Sequence, residues 1–445
     1  MISVIKNADF LWGIELELIE NGIIILNDQK IEKAGKASDV KNSESYLNAI
    51  KNDDAKFIDA EGFMIIPGLI NSHTHIGDSI GKDISSNADL DTRVNPKHSI
   101  KKTILEKTDT SQLKQFMKNA AISMLNKGIT TFIDFREGGS LGLNLLKDAL
   151  KDVPIKSIAL GRLDFNSFSG KYKNNDILKD NFRSMIEPKP NQDWELDALK
   201  YGNDLLNECD GFGISGANEH DNFMLSAYKK IIRNINVQNL PLKKNNSIVA
   251  IHAAESAQAV NESLRNSGMT EIERTISVLD PDVYVHITNP TAHDLDLIHS
   301  ANKGIVICPR ANGMLGVGFA PIKEMMNRSL LISIGTDNVM INSPDIFKEM
   351  DFLLKSQRAY EKNNFFLDAK TILKMTTVNS GKMFNKNIGC VDVGYQADLL
   401  FIDKYGIDLY PLHDPYMSLV QRCSERDIKA IMIDGKFVHE KCNIN

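Results

Sequence analysis

The sequence predicts an α/β protein: a barrel of eight βα units with a small β-rich unit made from both chain ends beside it. Three observations point there. Apolar runs recur through the middle of the chain with helix-compatible stretches between them, the alternation expected around a parallel sheet. Histidines and acidic residues stand at the ends of several of these runs, and a barrel gathers the C-terminal ends of its strands at one mouth. Short strand patterns with turn signals occupy both termini. A length of 445 residues suits two or three domains, and one large barrel with an appendage equally well.

Residues 1–64 read as short strands at Ile2 to Ile5, Leu16 to Glu20, Gly22 to Asn27 and Lys30 to Ala34. Asn21-Gly22 signals a hairpin turn, because both residues tolerate positive φ. Ile65 to His75 reads as one buried strand, and alternation along it projects His73 and His75 from the same face. Seven more candidate strands follow: Thr130 to Phe135, Ile155 to Leu160, Gly211 to Ser215, Ile248 to His252, Val283 to Ile287, Gly304 to Cys308 and Leu330 to Gly335. Helical spacing marks Ser111 to Lys127, Ala217 to Asn234, Ser256 to Ser267 and Asp345 to Phe384. Two intervals are less regular. Asp78 to Lys107 is polar and turn-rich, either a long loop over the barrel mouth or an ordinary surface excursion. Lys171 to Trp194, with Pro188 and Pro190, reads as a connection with a short helix. From Gly389 strand patterns return through Asp403, then at Ile428 to Ile433 and, past Asp434-Gly435, at Lys436 to His439. The simplest packing joins residues 1–64 and 388–445 in one small β-sandwich beside a barrel of residues 65–387.

Composition narrows the function classes. A hydrophobic content of 42% and a charged content of 25% are those of an ordinary soluble globular protein. A net charge of -6 provides no concentrated basic face for nucleic acid, and Lys243-Lys244 is too short a run to supply one. The five cysteines, Cys209, Cys308, Cys390, Cys423 and Cys442, are scattered and contain no Cys-x-x-Cys. They make no disulfide framework and favour a reducing compartment. Charges come too early in the first residues for a signal peptide, and no stretch approaches the roughly 18 apolar residues of a membrane span. The expectation is a cytoplasmic protein acting on a small molecule, with no nucleic-acid or membrane partner. Symmetric assemblies are common, so a homo-oligomer stays open.

The residues that carry chemistry arrive in strand order. After His73 and His75 come His252 at the end of an apolar strand, Glu255 three residues later, His286 late in the next strand, and Asp337 in Gly335-Thr336-Asp337-Asn338. Each alone has a plain structural explanation, since a strand-end histidine often bonds a carbonyl and an aspartate often caps a helix. Several at the same end of different strands favour a shared site.

These residues carry a family resemblance. Pro67-Gly68-Leu69-Ile70-Asn71-Ser72-His73-Thr74-His75, His252-Ala253-Ala254-Glu255, His286, Gly335-Thr336-Asp337 and the late segment Val393-Gly394-Tyr395-Gln396-Ala397-Asp398-Leu399 resemble the amidohydrolase superfamily. The likeness is to its branch of cytosine, guanine and S-adenosylhomocysteine deaminases and chlorohydrolases. It implies a distorted (β/α)8 TIM barrel with one catalytic divalent metal held by His73, His75, His252 and Asp337. Zinc is the first choice for three histidines and one aspartate, with Fe2+ second. Glu255 is implied as the proton shuttle and His286 as the residue that activates or orients the water, whose proton Asp337 takes. Attack at an amidine-like carbon of a heterocycle or related small molecule then releases ammonia.

A binuclear relative would resemble its branch in a bridging lysine on the fourth strand, and Gly211 to Gly216 contains none. Zinc deaminases of the Cys-x-x-Cys type are excluded by the cysteine spacing. Substrate choice falls to the loops. Arg136, Glu137, Arg162 and Arg310 suit a polar or anionic substrate, or else make salt bridges between loops, and Asp164 also follows the third strand. Cys308-Pro309-Arg310-Ala311-Asn312 resembles a segment of the adenosylhomocysteine deaminases, with Ala311 in place of serine, and adds Asn312. Asp78 sits where nucleoside deaminases commonly carry larger or apolar residues, which counts against adenosine-type substrates unless it only caps a turn. His220 is a weaker candidate, and His98, His293, His299, His413 and His439 read as surface or helix residues. Beside the deaminase stand two other readings: hydrolysis of a chloride or cyclic amide by the same activated water, and a non-catalytic barrel scaffold. Filled ligand positions count against the scaffold.

Overall fold

Apolar runs long enough to be buried on both faces make the strands of one parallel sheet. They are β1 (Leu69–His75), β2 (Ile129–Arg136), β3 (Lys156–Gly161), β4 (Gly211–Ile214), β5 (Ile248–Ala253), β6 (Val283–His286), β7 (Gly304–Ile307) and β8 (Leu331–Ile334). Each pairs in parallel with the next. Every residue of β1 and β2 is buried. After β8 the chain breaks at Gly335-Thr336 and resumes as Asp337–Asn338, which pairs with β1 at Thr74 and His75. That step joins the two edges of the curled sheet into a distorted (β/α)8 barrel. A side-chain carbon at Gly335 would lie 2.7 Å from the backbone nitrogen of His73, so the closure needs glycine there. The computed structural model describes residues 1–84, 86–95, 98–163, 192–233 and 247–441, with 192–196 described by backbone alone. Asp164, residues 171–191 of the predicted connection, Asn234, Lys243-Lys244 and Cys442 lie outside the described residues.

A second sheet of eight strands draws on both chain ends. Its order runs Lys436–Glu440, Ile428–Ile433, Leu399–Asp403, Phe63–Pro67, Ile2–Trp12, Glu17–Asn27 and Lys30–Lys36, with Lys56–Asp59 also on the Ile2–Trp12 strand. Ile5, Phe10, Ile24, Ile65, Leu399 and Phe401 pack together on its buried side. Lys156 of β3 bridges the two sheets, 2.8 Å from Asp398 and 2.5 Å from Asp434.

Three sequence expectations change. The run Ile65 to His75 is two strands, since Ile65, Ile66 and Pro67 pair antiparallel with Leu399–Asp403 before β1 begins. The division falls at Gly68, where a side-chain carbon would lie 2.2 Å from Thr130 Oγ1. Asn21-Gly22 makes no hairpin turn; it lies inside the strand Glu17–Asn27 as a bulge opposite the shift between Ala8 and Phe10. Asn21 does take the left-handed conformation (φ 48°), and its N–H donates to Asp9 Oδ1 at 2.9 Å. The turn itself forms at Gly13 to Leu16, where both end residues have positive φ. Ala217 to Asn234 splits into a 3-10 turn, Ala217–Glu219, and the helix Asn222–Arg233, because Asp221 caps the second piece through Met224 N–H at 2.7 Å.

The polar interval after β1 carries the 3-10 segment Ile76–Gly81 and two short helices, Leu90–Val94 and Ile100–Lys107. It packs beside the mouth, as Lys101 shows below. Among the described residues no helix is long and apolar enough to cross a membrane.

Candidate metal centre

Alternation along β1 turns His73 and His75 inward together. His252 follows from β5, His286 ends β6, and Asp337 lies on the short strand paired to β1. All five are side by side. His73 Nε2 is 3.0 Å from His252 Nε2 and 3.2 Å from Asp337 Oδ1, and His75 Nε2 is 3.7 Å from the same oxygen. Ligand atoms of His73, His75 and His252 lie within 4.8 Å of one another, as do those of His73, His286 and Asp337. Phe135 walls the cluster, its ring 4.4 Å from that of His73 and stacked 5.1 Å from that of His252.

The hydrogen bonds around the imidazoles decide which nitrogens carry protons. His252 Nδ1 sits 2.6 Å from the Ser215 carbonyl, which can only accept, so Nδ1 bears the proton and Nε2 the lone pair. His75 Nδ1 meets Glu137 Oε1 at 3.1 Å, which frees its Nε2 in the same way. His286 Nδ1 meets Asn312 Oδ1 at 3.0 Å, and Asn312 Nδ2 donates to Thr288. Lone pairs and a carboxylate therefore converge on one buried point. Left alone they repel, and a cation resolves the repulsion, so the donor set fits a divalent metal.

Charge states agree. Burial pushes His73 down and His252 well down, and takes His75 down to about 3, with the Lys101 charge adding to the fall. Burial alone would raise Asp337, but the bond from His73 and the surrounding histidines hold it below the usual carboxylate range. Burial raises Glu255, against the pull of His286, whose Nε2 lies 3.7 Å from Glu255 Oε1.

The backbone here is strained. Ala254, His286, Ile287 and Asp337 all have φ between 46° and 76°, a region costly for residues with side chains and concentrated at functional sites. Each is held. Ala254 N–H donates to Glu271 Oε2 at 2.9 Å, Ile287 N–H to the Ala253 carbonyl at 3.2 Å, and the Asp337 carbonyl accepts from Thr74 Oγ1 at 3.0 Å. Asn71 clasps Thr336 twice, accepting from its N–H at 3.0 Å and donating to its hydroxyl at 2.8 Å.

The substrate-loop candidates are mostly engaged within the protein. Asp78 is buried and accepts from Asn338 Nδ2 (2.6 Å) and Met340 N–H (3.0 Å). Arg136 is buried against Glu137 and Asp134, and Glu137 binds His75. Arg310 donates to the Ser343 carbonyl at 3.2 Å beside Glu349. Asn312 orients His286. Arg162, just past β3, donates to the Gly213 carbonyl at 3.4 Å. His220 bonds the Gly216 carbonyl at 2.9 Å, and His98, His293, His299, His413 and His439 join neither ligand cluster. Sequence reasoning misses Lys101, whose Nζ is 2.6 Å from Glu137 Oε1. It also misses Asn71, Glu271 and Asp134, whose Oδ1 accepts from Ile76 N–H at 2.8 Å; all three hold backbone around the candidate ligands. Only the position of Asn71 next to the His-x-His could have marked it.

Comparison with known proteins gives the family and the fold. The model of the family described as "Amidohydrolase family" matches residues 64–438. A protein of Methanothermobacter thermautotrophicus provisionally named an aminohydrolase is 32% identical over 381 residues, 86% of this chain and 88% of that one. A 5-methylthioadenosine/S-adenosylhomocysteine deaminase of Thermodesulfovibrio yellowstonii is 25% identical, covering 95% of this chain and 89% of that one. A zinc-bound adenosine deaminase from Xanthomonas campestris has the same fold, with a TM-score of 0.77 at 19% identity over 98% of this chain and 92% of that one. The chain belongs to the amidohydrolase family.

Proposed function

We propose that the protein is a metal-dependent deaminase that removes ammonia from an amidine-like carbon of a heterocycle. The observation that carries the reading is the convergence of the His73, His75 and His252 imidazoles and the Asp337 carboxylate on one buried point, with Glu255 next to the adjoining His286. His73, His75, His252 and Asp337 would hold the metal. Zinc suits this set first and Fe2+ second. When bound, such an ion supplies acidity, lowering the pKa of water to about 7.

The remaining work falls to the chain's own groups. Asp337, held ionised, accepts the proton of the attacking water at a carboxylate oxygen. Glu255, raised by burial, starts protonated more readily than an exposed glutamate and hands its proton to a ring nitrogen of the substrate. As a carboxylate it then takes the proton of the added hydroxyl and passes it to the amine, which departs as ammonia, and the proton held by Asp337 returns to Glu255. His286, with Nδ1 fixed on Asn312, turns Nε2 toward the water and the Glu255 carboxyl. Phe135 keeps bulk water off the imidazoles. The names of the curated relatives support deamination over other hydrolyses of the same class.

Ammonia release from zinc-loaded protein, assayed over purines, pyrimidines, pterins and triazines, tests the reaction. Turnover with stoichiometric ammonia from at least one heterocycle is expected. Chloride or a ring-opened product without ammonia would overturn it.

A further inference from the structure

The helix Ile100–Lys107 has eight residues and buries one of them, and that one is a lysine. A surface helix held by packing buries an apolar stripe; this one is anchored by a charge. Lys101 Nζ lies 2.6 Å from Glu137 Oε1 and 3.4 Å from Asp78 Oδ2. Glu137 Oε1 is also the atom that receives His75 Nδ1 at 3.1 Å, while Oε2 receives Arg136. Asp78 accepts from Asn338 Nδ2 at 2.6 Å and from Met340 N–H, and Asn338 is the neighbour of Asp337. One ammonium thus touches both flanks of the centre, His75 through Glu137 and the Asp337 strand through Asp78. Ile104 adds a contact over Gly81, where a side-chain carbon would lie 3.1 Å from its Cδ1.

We propose that Lys101 is a positioning residue that couples the helix Ile100–Lys107 to the metal centre, so that metal binding and docking of the helix strengthen each other. The inference rests on the reading of His75 as a metal ligand. A ligating histidine is oriented by the carboxylate behind it, and that carboxylate by its own partners. Without Lys101 the buried Asp78 and the partly buried Glu137 lose their shared cation, and leaving a buried charge without its partner is strongly unfavourable. Glu137 then rotates or takes up water, and His75 loses its fixed bearing. The coupling is reciprocal by thermodynamic necessity: what fixes His75 also fixes the oxygen on which the helix is hung.

The full-length wild type, Lys101→Met and Lys101→Arg separate the outcomes. Amide hydrogen exchange of residues 100–107 is followed in metal-free and zinc-loaded protein, zinc affinity by competition with a chelator, and ligand field by the visible spectrum of the Co2+ form. In the wild type, zinc slows exchange in 100–107. In Lys101→Met that slowing is lost, the zinc dissociation constant rises roughly 10–100-fold and the Co2+ spectrum changes; Lys101→Arg recovers part of each. A wild type that binds zinc without protecting 100–107 overturns the coupling even if no variant folds. Wild-type affinity and spectrum in Lys101→Met overturn it too. A wild type that binds no divalent metal defeats the metal-centre reading itself, and it does so before any variant is made.

Discussion

Asn71 is the residue on which the geometry of Asp337 most depends. Its amide bonds Thr336 twice, in the turn that delivers Asp337 in a left-handed conformation. Asn71→Ala is expected to cost about 1–3 kcal/mol, the range for leaving buried polar groups without partners, read as a lower denaturation midpoint of metal-free protein. Glu271 serves Ala254 in the same way and adds a pH dependence. Burial raises its carboxyl from 4.5 to about 7, with Glu255 and Glu219 nearby pushing the same way. The folded state therefore holds this proton more tightly than the unfolded chain does. That contribution is fully present below pH 4.5 and is lost as the pH climbs through about 7. At 1.36 kcal/mol per unit it amounts to about 3 kcal/mol at most. Glu271→Gln, which keeps an oxygen for Ala254 N–H, is expected to flatten the decline of metal-free stability between those values, measured by unfolding across the pH series.

At the scale of elements, legibility follows from how local the cause is. The barrel strands could be read because each carries a short apolar run, and His73 and His75 because alternation on a strand is a local rule. The break at Gly68 and the bulge at Asn21-Gly22 could not, since both depend on what the backbone meets across the fold: Thr130 in one case, the Phe10 strand in the other. The helix Ile100–Lys107 hides for a related reason, as its anchor is charged and no apolar stripe announces it. The seam between β1 and β8 is equally silent in sequence. Ser72, Ser333 and Ser380 bond one another there at 2.5 to 2.8 Å, with the Met375 carbonyl accepting. Ser333→Ala takes one partner from each of the other two hydroxyls, which keep their bonds to each other and to the Met375 carbonyl, and is expected to destabilise by about 0.5–1.5 kcal/mol in denaturant unfolding.

For the whole molecule, a ring of strands brings residues from positions 73 to 337 to one mouth, and the sheet from both chain ends braces it through Lys156, Asp398 and Asp434. The proposed ligand set needs that closure, because Asp337 reaches His73 only after the chain crosses from β8 onto β1. The order of the proposed ligand residues is readable in the chain; the charged network of Lys101, Glu137, Arg136 and Asp78 beneath His75 is not, since it joins a helix, a 3-10 segment and the end of β2 that no local pattern relates. A metal that binds only the folded barrel also stabilises it, by about 2.7 kcal/mol at 100 times its dissociation constant, so a chelator should lower the melting temperature of wild type and leave His252→Ala unmoved. The most direct measurement takes metal content and ammonia release together on wild type and Glu255→Gln. One divalent metal per chain in both proteins is expected, with ammonia release in the variant reduced roughly 10²–10⁴-fold, the size of a general acid–base contribution. Full activity in a metal-replete Glu255→Gln would contradict the assignment of Glu255, and an active wild type without metal would contradict the centre itself.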